Sequence, residues 1–207
     1  MDGKIGGKME HYFSKNPGVK SNKKTFEYQF RGETILFNYD HGVFSMGKGD
    51  RGSELLIHTF IDKNPCLKDQ EILDLGTGYG FIGVILKKTY PHINLTMSDI
   101  NSRAVELAKE NIEQNSLTAT VLQSDGFEHI SKSFHYILLN PPIRVGKEKV
   151  YQLLNSCHQH LLSGGELWLV VRVKQGAKSM GKYLQSFFKG VETVEREAGY
   201  HIIKATK

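Results

Sequence analysis

The residues best suited to chemistry lie in two short runs, Gly76-Thr77-Gly78-Tyr79-Gly80 and Asn140-Pro141-Pro142. The first follows EILDL, which reads as a buried strand, and precedes FIGVILKK, which has helical spacing. Glycine lets the backbone approach a ligand, and a helix start presents free N–H groups, so a strand, glycine turn and helix in this order make a nucleotide-cofactor site. The spacing is GxGxG, which departs from the GxGxxG of dinucleotide binders. Asp74, two residues before Gly76, sits where a carboxylate can take up a cationic ligand group or brace the turn. Asp99 closes the next strand, about twenty residues on, where an acid can accept hydrogen bonds from ribose hydroxyls or cap the helix that starts near Asn101. Ser124-Asp125-Gly126 places a further carboxylate at the same edge, suited to an adenine amino group or to an Asx-type turn.

The second run ends a strand, HYILL. Two prolines cannot continue a ladder, and they stiffen the loop so that the Asn140 side chain and the Pro141 carbonyl keep fixed directions. Two neighbouring acceptors are what an exocyclic amine needs. Its lone pair is delocalised into a ring, and accepting both N–H hydrogens helps localise that pair toward an electrophile. Positioning and charge stabilisation, without a strong base, would then supply the rate.

These runs need a frame. From Gln70 onward, strand-like and helix-like segments alternate as in a parallel sheet flanked by helices. Strands are expected at 71–75, 93–98, 120–124, 135–140, 166–173, 191–197 and 201–206, with helices near 80–89, 101–115 and 147–162 and a short crossover around 125–132. The last two strands are joined only by a tight turn at Ala198-Gly199-Tyr200, so they must form an antiparallel hairpin. Upstream, FEYQF and ETILFNY flank Arg31-Gly32 as a second hairpin. A glycine-rich loop, HGVFSMGKGDRGS, then leads to a helix SELLIHTFIDK with Ser53 as its expected N-cap. The helix from Asn101 carries Ala104, Val105, Ala108 and Ile112 on one face and charges on the other, which reads as a solvated face. The chain divides into an extension, residues 1–52, and an α/β domain, residues 53–207.

Composition narrows the function classes. The 207 residues fit one domain, with 39% hydrophobic and 24% charged residues, which excludes wholesale disorder, collagen-like and coiled-coil character. The net charge of +5 favours a polyanionic partner without demanding one. Two isolated cysteines, Cys66 and Cys157, argue against a disulfide framework and a structural zinc, so no metal is expected. No apolar run reaches the ~20 residues of a membrane span, and MDGKIGGK lacks the core of a signal peptide, so a cytoplasmic location is expected. Those eight residues leave room for a leader before a native start at Met9.

DLGTGYG, Asp99, Ser124-Asp125 and Asn140-Pro141-Pro142-Ile143 together resemble the class I S-adenosylmethionine-dependent methyltransferases that act on exocyclic or amide nitrogens. More narrowly, GVFSMGKGDRGSELL, NPPIRVGKE and VKQGAKSM resemble the group that forms N2-methylguanosine in 16S ribosomal RNA. The resemblance runs from about Tyr12 to the end. It implies a Rossmann-like, mostly parallel seven-stranded sheet with a C-terminal antiparallel hairpin, and a second methyltransferase-like domain of some members has no room here. By resemblance, Gly76, Thr77, Gly78 and Gly80 cradle the methionine part of S-adenosylmethionine, Asp99 with Ile100 binds the ribose, and Asp125 with Gly126 approaches the adenine. Asn140 and Pro141, stiffened by Pro142, would hold the target amine. Many relatives carry an aromatic after the prolines that stacks on a flipped base, a contact of ~1–3 kcal/mol; here Ile143 stands there, and Phe44 is the candidate to supply the missing face. Arg144 and Lys147 follow the prolines, where cations can hold RNA phosphates or stand as idle surface charges.

The implied partner is ribosomal RNA or the small ribosomal subunit. An adenine or cytosine amine, a protein glutamine amide, or a non-catalytic RNA-binding module that kept the cofactor fold remain open alternatives. A nicotinamide oxidoreductase is disfavoured by the missing GxGxxG and leaves the paired prolines without a purpose.

Overall fold

The computed structural model describes residues 21–40, 43 and 51–207. Its centre is a seven-stranded sheet of β3 (Glu71–Leu75), β4 (Asn94–Asp99), β5 (Thr120–Gln123), β6 (Phe134–Leu139), β7 (Leu161–Arg172), β8 (Gly190–Glu197) and β9 (Tyr200–Thr206). The order is β5-β4-β3-β6-β7-β9-β8, parallel from β5 to β7 and antiparallel across β7–β9–β8. The chain winds outward from β3 through β4 to β5, then returns to lay β6 on the other side of β3. The carboxyl ends of β3 and β6 therefore flank the switch point, where open α/β sheets bind ligands.

Strands buried on both faces read as nearly continuous apolar runs, and alternate residues feed two separate cores. Ile72, Met97, Leu138, Trp168, Val170 and Ile202 face one side, packed by α1 (Arg51–Lys63), α2 (Phe81–Thr89) and α3 (Ser102–Gln114). Leu73, Leu75, Ile137, Leu139, Val171 and Ile203 face the other, packed by α4 (Lys147–His160) and α5 (Ala177–Leu184). On the first side the Phe60 ring stands edge-on to Trp168 at 5.2 Å, tying α1 to β7.

The upstream hairpin, β1 (Lys24–Phe30) and β2 (Glu33–Tyr39), lies outside this sheet. Phe30, Ile35 and Phe37 join the first core, and Phe37 meets Phe81 of α2 at 5.4 Å. Both hairpins turn through two residues with positive φ, Arg31-Gly32 and Ala198-Gly199, the type that matches strand twist. Amide side chains complete β2's outer edge: Asn111 of α3 accepts from Asn38 N at 2.7 Å and donates to Asn38 O at 2.8 Å. Asn115 does the same for Leu36.

Three expectations need correction. The helix containing Ser53 starts at Arg51, across the residue 52/53 division, so Ser53 lies inside its first turn and is not its N-cap. The α4 helix stops at His160, and β7 begins at Leu161, earlier than expected, because Leu161 pairs with Phe134 ahead of a register shift. A Cβ at Gly165 would come within 3.0 Å of the Phe134 carbonyl, so glycine lets β6 and β7 close there. The 177–184 helix, with Ala177, Met180 and Leu184 buried, was not expected at all. Among the described residues, no helix is long and apolar enough to cross a membrane.

Candidate functional site

The glycine turn is fixed from below. Gly76 N and Thr77 N both donate to Ser98 O, at 2.8 and 2.9 Å, which holds the turn against the end of β4. Gly76 and Gly78 adopt φ of 71° and 58°, and a Cβ at either would meet nothing within 4 Å. Their bare backbone therefore borders open space, as a ligand cradle requires. Gly80, at φ 95°, has a different reason: a Cβ there would press on Met97 and the Ala108 backbone.

Two buried acids stand behind the turn. Asp74 accepts from Thr77 Oγ1 at 2.5 Å and from Gly83 N at 2.9 Å, and it does not line the cleft. Of its two possible roles, the structure places it where it braces the turn. Burial pushes its carboxyl up to about 7, against the lowering effect of the Thr77 and Gly83 hydrogen bonds, and the nearby Asp99 charge adds to the rise. Asp99 accepts from Gly78 N and from Asn101 N, both at 2.9 Å. Its carboxyl is also raised by burial, with the Asn101, Gly78 and Ile100 backbone bonds opposing. The helix cap is Asn101, whose side chain accepts from Arg103 N and Ala104 N, so Asp99 is free of that duty. Each carboxylate oxygen keeps acceptor capacity after one hydrogen bond, so Asp99 can serve turn and ligand together.

A cleft of about 770 Å³ opens above this turn, within the range of cofactor and ligand sites. Gly76, Thr77, Gly78, Asp99, Ile100, Asp125 and Gly126 line one end; Asn140, Pro141, Pro142, Ile143 and Arg144 line the other. Asp125 is exposed at its rim, and the loop beneath is closed by Ser124 Oγ, which donates to Gly126 O and accepts from His129 N, both at 3.0 Å. Thirteen of the residues singled out from sequence thus stand as follows: twelve in one cavity wall, with Asp74 beneath it. Gly80 packs under the turn, Lys147 lies outside the wall with its ammonium 5.1 Å from the Tyr151 ring centre, and Phe44 is outside the described residues.

At the Asn140 end the loop is pre-shaped. Ile143 N donates to Pro141 O at 2.8 Å and Val145 N to Pro142 O at 3.0 Å, folding the chain after the prolines into a short 3-10 turn, Ile143–Val145. Pro141 O thus has one lone pair engaged and one left. Asn140 Nδ2 donates to Ser53 Oγ at 3.0 Å, which assigns the amide's nitrogen to α1. Ser53, Phe127, Lys149 and Tyr200 also line the cleft and were not read as site residues. Tyr200 Oη accepts from Arg172 Nε at 2.8 Å, a pairing set by the β7–β9 register that places the two residues opposite each other. Among the described residues no group of three or more His, Cys, Asp or Glu is placed to hold a metal.

Residues 34–204 match the methyltransferase small domain family. The chain belongs to that family. It is 43% identical to the uncharacterized protein YbxB of Bacillus subtilis over 201 residues, 96% of this chain and 98% of that one. It is 35% identical to ribosomal RNA small subunit methyltransferase C of Vibrio cholerae over 151 residues, 71% of this chain but 43% of the relative. Among solved structures, the Thermus thermophilus 16S rRNA N2 G1207 methyltransferase (RsmC), in complex with AdoMet and guanosine, superposes with a TM-score of 0.81 at 27% identity. That match covers 92% of this chain and 52% of the Thermus enzyme. The chain therefore spans about half, or less, of the RNA methyltransferases it matches and nearly all of the Bacillus relative. The fold is the Rossmann-like one of class I S-adenosylmethionine-dependent methyltransferases, and this family member is a methyltransferase of that type.

Proposed function

We propose that this methyltransferase transfers the methyl group of S-adenosylmethionine to the N2 amine of a guanine in small-subunit ribosomal RNA. The observation that carries the reading is Asn140: its amide nitrogen is held by Ser53, in the wall of the cleft that the Gly76–Gly78 turn borders. Ser53 thus orients the amide, and we assign its oxygen, Oδ1, to accept an amine hydrogen.

Gly76, Thr77 and Gly78 would hold the methionine part of the donor, Asp99 and Ile100 its ribose, and Asp125 and Gly126 its adenine. The fit rests on the turn's bare backbone, on the acid behind it and on a cavity wide enough for donor and acceptor side by side. When bound, S-adenosylmethionine supplies an electrophilic methyl group on a sulfonium. Asn140 Oδ1 and the remaining lone pair of Pro141 O accept the two N–H hydrogens of the guanine amine, which turns the nitrogen lone pair toward that methyl. That methyl would pass to the nitrogen with the sulfur as leaving group, and one N–H proton would leave to solvent. No strong base is required, since the proton becomes acidic only as the new bond forms. Pro142 keeps the acceptors rigid, and Ile143 gives the base an apolar contact.

The acceptor assignment draws support from the likeness to the Vibrio and Thermus enzymes, from the complementary charge of an RNA, and from a cleft open to a large substrate. We place the reaction in the cytoplasm, and we assign residues 1–52 to an extension of the 53–207 methyltransferase domain, on whose core the described β1–β2 hairpin packs. The test is incubation of the chain with labelled S-adenosylmethionine and unmodified small-subunit RNA or particles, followed by nucleoside mass analysis. N2-methylguanosine is the expected product; methyladenosine, methylcytidine or labelled protein would replace the guanine assignment, and no transfer to any of them would refute it.

A further inference from the structure

Among the described residues, positive charge is concentrated on one side of the cleft. Residues 143–182 contain seven cations, Arg144, Lys147, Lys149, Arg172, Lys174, Lys178 and Lys182, against two acids, Glu148 and Glu166, a net of +5 and so the whole excess of the chain. Glu166 is taken up elsewhere, accepting from Trp168 Nε1 at 2.8 Å and pairing with Lys204 at 3.5 Å. On the opposite face of the sheet, α3 carries Arg103 and Lys109 against Glu106, Glu110 and Glu113. The asymmetry is a property of the α4–α5 side, not of the surface at large.

These cations belong to two segments that one contact joins. Arg144 and Lys149 line the cleft from the loop after the prolines and the first turn of α4, whereas Arg172 and Gln175 line it from the end of β7. Lys174 adjoins Gln175, and Lys178 and Lys182 follow at a spacing of four along α5, on the side away from its buried Ala177, Met180 and Leu184. Between the segments, Tyr151 of α4 and Tyr183 of α5 stack with ring centres 3.9 Å apart and 15° between planes. Lys147 lies over Tyr151, and Phe187 meets Tyr183 edge-on at 5.1 Å. The stack fixes the start of α4 against α5, so the two rows of cations move as one surface. Among the described residues, Lys147, Lys149, Lys174, Lys178 and Lys182 are exposed and have no carboxylate within ion-pair distance.

We propose that this α4–α5 surface, with Lys174, Lys178 and Lys182 as its outer row, grips the phosphates that flank the target nucleotide while the Asn140 end of the cleft receives the base. The inference rests on the RNA reading above and adds to it where the strand runs. Clustered cations that far outnumber their local acids, here with Glu148 alone among them, are the footprint of a phosphate backbone. A strand entering at Arg144 and Lys149 is carried past Tyr151 and Tyr183 onto α5.

The experiment measures binding of a small-subunit ribosomal RNA fragment by fluorescence anisotropy at several salt concentrations, for the whole chain and for Lys178→Glu with Lys182→Glu. Two lost phosphate contacts should weaken affinity at least tenfold near 0.1 M salt and flatten the log–log salt slope by ~1.5. S-adenosylmethionine affinity should stay unchanged, which guards against misfolding, and Lys178→Arg with Lys182→Arg should bind like the parent. Lys68→Glu with Lys109→Glu, the same change in net charge elsewhere, should leave the slope nearly intact. If both glutamate pairs weaken binding equally, or neither does, the α5 assignment is overturned while the RNA reading stands. If the unaltered chain binds no RNA, both fall.

Discussion

The two ends of the cleft are built by different means. At the end proposed to hold the donor, the shape comes from backbone: positive-φ glycines, amides tied to Ser98 O, and two acids sealed beneath the turn. At the end proposed to receive the acceptor, it comes from side chains on separate segments, with Asn140 after β6, Ser53 on α1, Arg172 on β7 and Tyr200 on β9. A common donor can be met by a rigid cradle, while substrate choice is set by side chains that can change without disturbing the sheet. The comparison predicts that alterations at one end leave binding at the other untouched.

The largest separation should come from Asn140→Ala. Removing one acceptor positioned for the reacting amine should cost on the order of 10²–10³ in turnover, the scale of losing one preorganised hydrogen-bonding group. S-adenosylmethionine affinity, measured by calorimetry, should stay within about twofold. Turnover close to the parent's would remove Asn140 from the chemistry.

The donor end should respond to pH through its buried acid. Asp74 has a folded pKa of about 7 against an ordinary value of 3.8, so between those pH values the folded chain holds a proton that the unfolded chain has lost. Its contribution to stability is fully present below about pH 4 and is lost as pH rises through 7. Asp74→Asn cannot ionise. Relative to the parent it should therefore gain stability by a few kcal/mol, at ~1.4 kcal/mol per unit, as pH rises from 4 to 8. Thermal melts of both ligand-free proteins across that range check it, and parallel curves would show that Asp74 stays ionised. A cationic donor should draw Asp74 toward ionisation, so its binding should tighten over the same rise.

Gly78→Ala is the intermediate case. Its φ of 58° costs a residue with a Cβ about 1–2 kcal/mol, and the new methyl enters the cleft. S-adenosylmethionine affinity should fall about tenfold with RNA affinity unchanged. A parallel loss of RNA binding would mean that the two ends are not independent.

What could be read from the sequence follows the same division. The donor end was legible because its parts are local: strand, glycine turn and helix lie within Glu71–Thr89, and Asp99 closes the adjacent strand. Both hairpins were legible because Arg31-Gly32 and Ala198-Gly199 are short enough to dictate their turns. The α5 helix was missed because Gly176 and Gly181 break its pattern and only three apolar residues face the core. Asn111 was not singled out, since nothing local marks a polar residue in an amphipathic helix as buried. It is buried, since it takes the place of a strand partner for β2 and also donates to Tyr79 O. Tyr200 read as part of a turn, although the register of β9 sets it against Arg172 at the cleft. Ser53 is the clearest omission. Its partner is 87 residues away, and the only local signal was a serine near a helix start, which the capping rule claimed first.

Ser53 also gives the smallest and most specific effect. An amide side chain can present oxygen or nitrogen to a substrate, and only the oxygen can accept an amine hydrogen. Ser53 Oγ, 3.0 Å from Asn140 Nδ2, favours the useful orientation by satisfying the nitrogen on the protein side. Without it the amide keeps its place after the strand but loses one reason to face one way. A neutral hydrogen bond contributes about 1 kcal/mol, so Ser53→Ala should lower kcat about fivefold, with KM for RNA and donor affinity nearly unchanged. Ser53→Thr, which restores the hydroxyl, should recover most of the rate, and Asn140→Ala should make the Ser53 substitution silent. An equal loss from Ser53→Ala in both backgrounds would show that the serine acts through the packing of α1 and not through the orientation of the Asn140 amide.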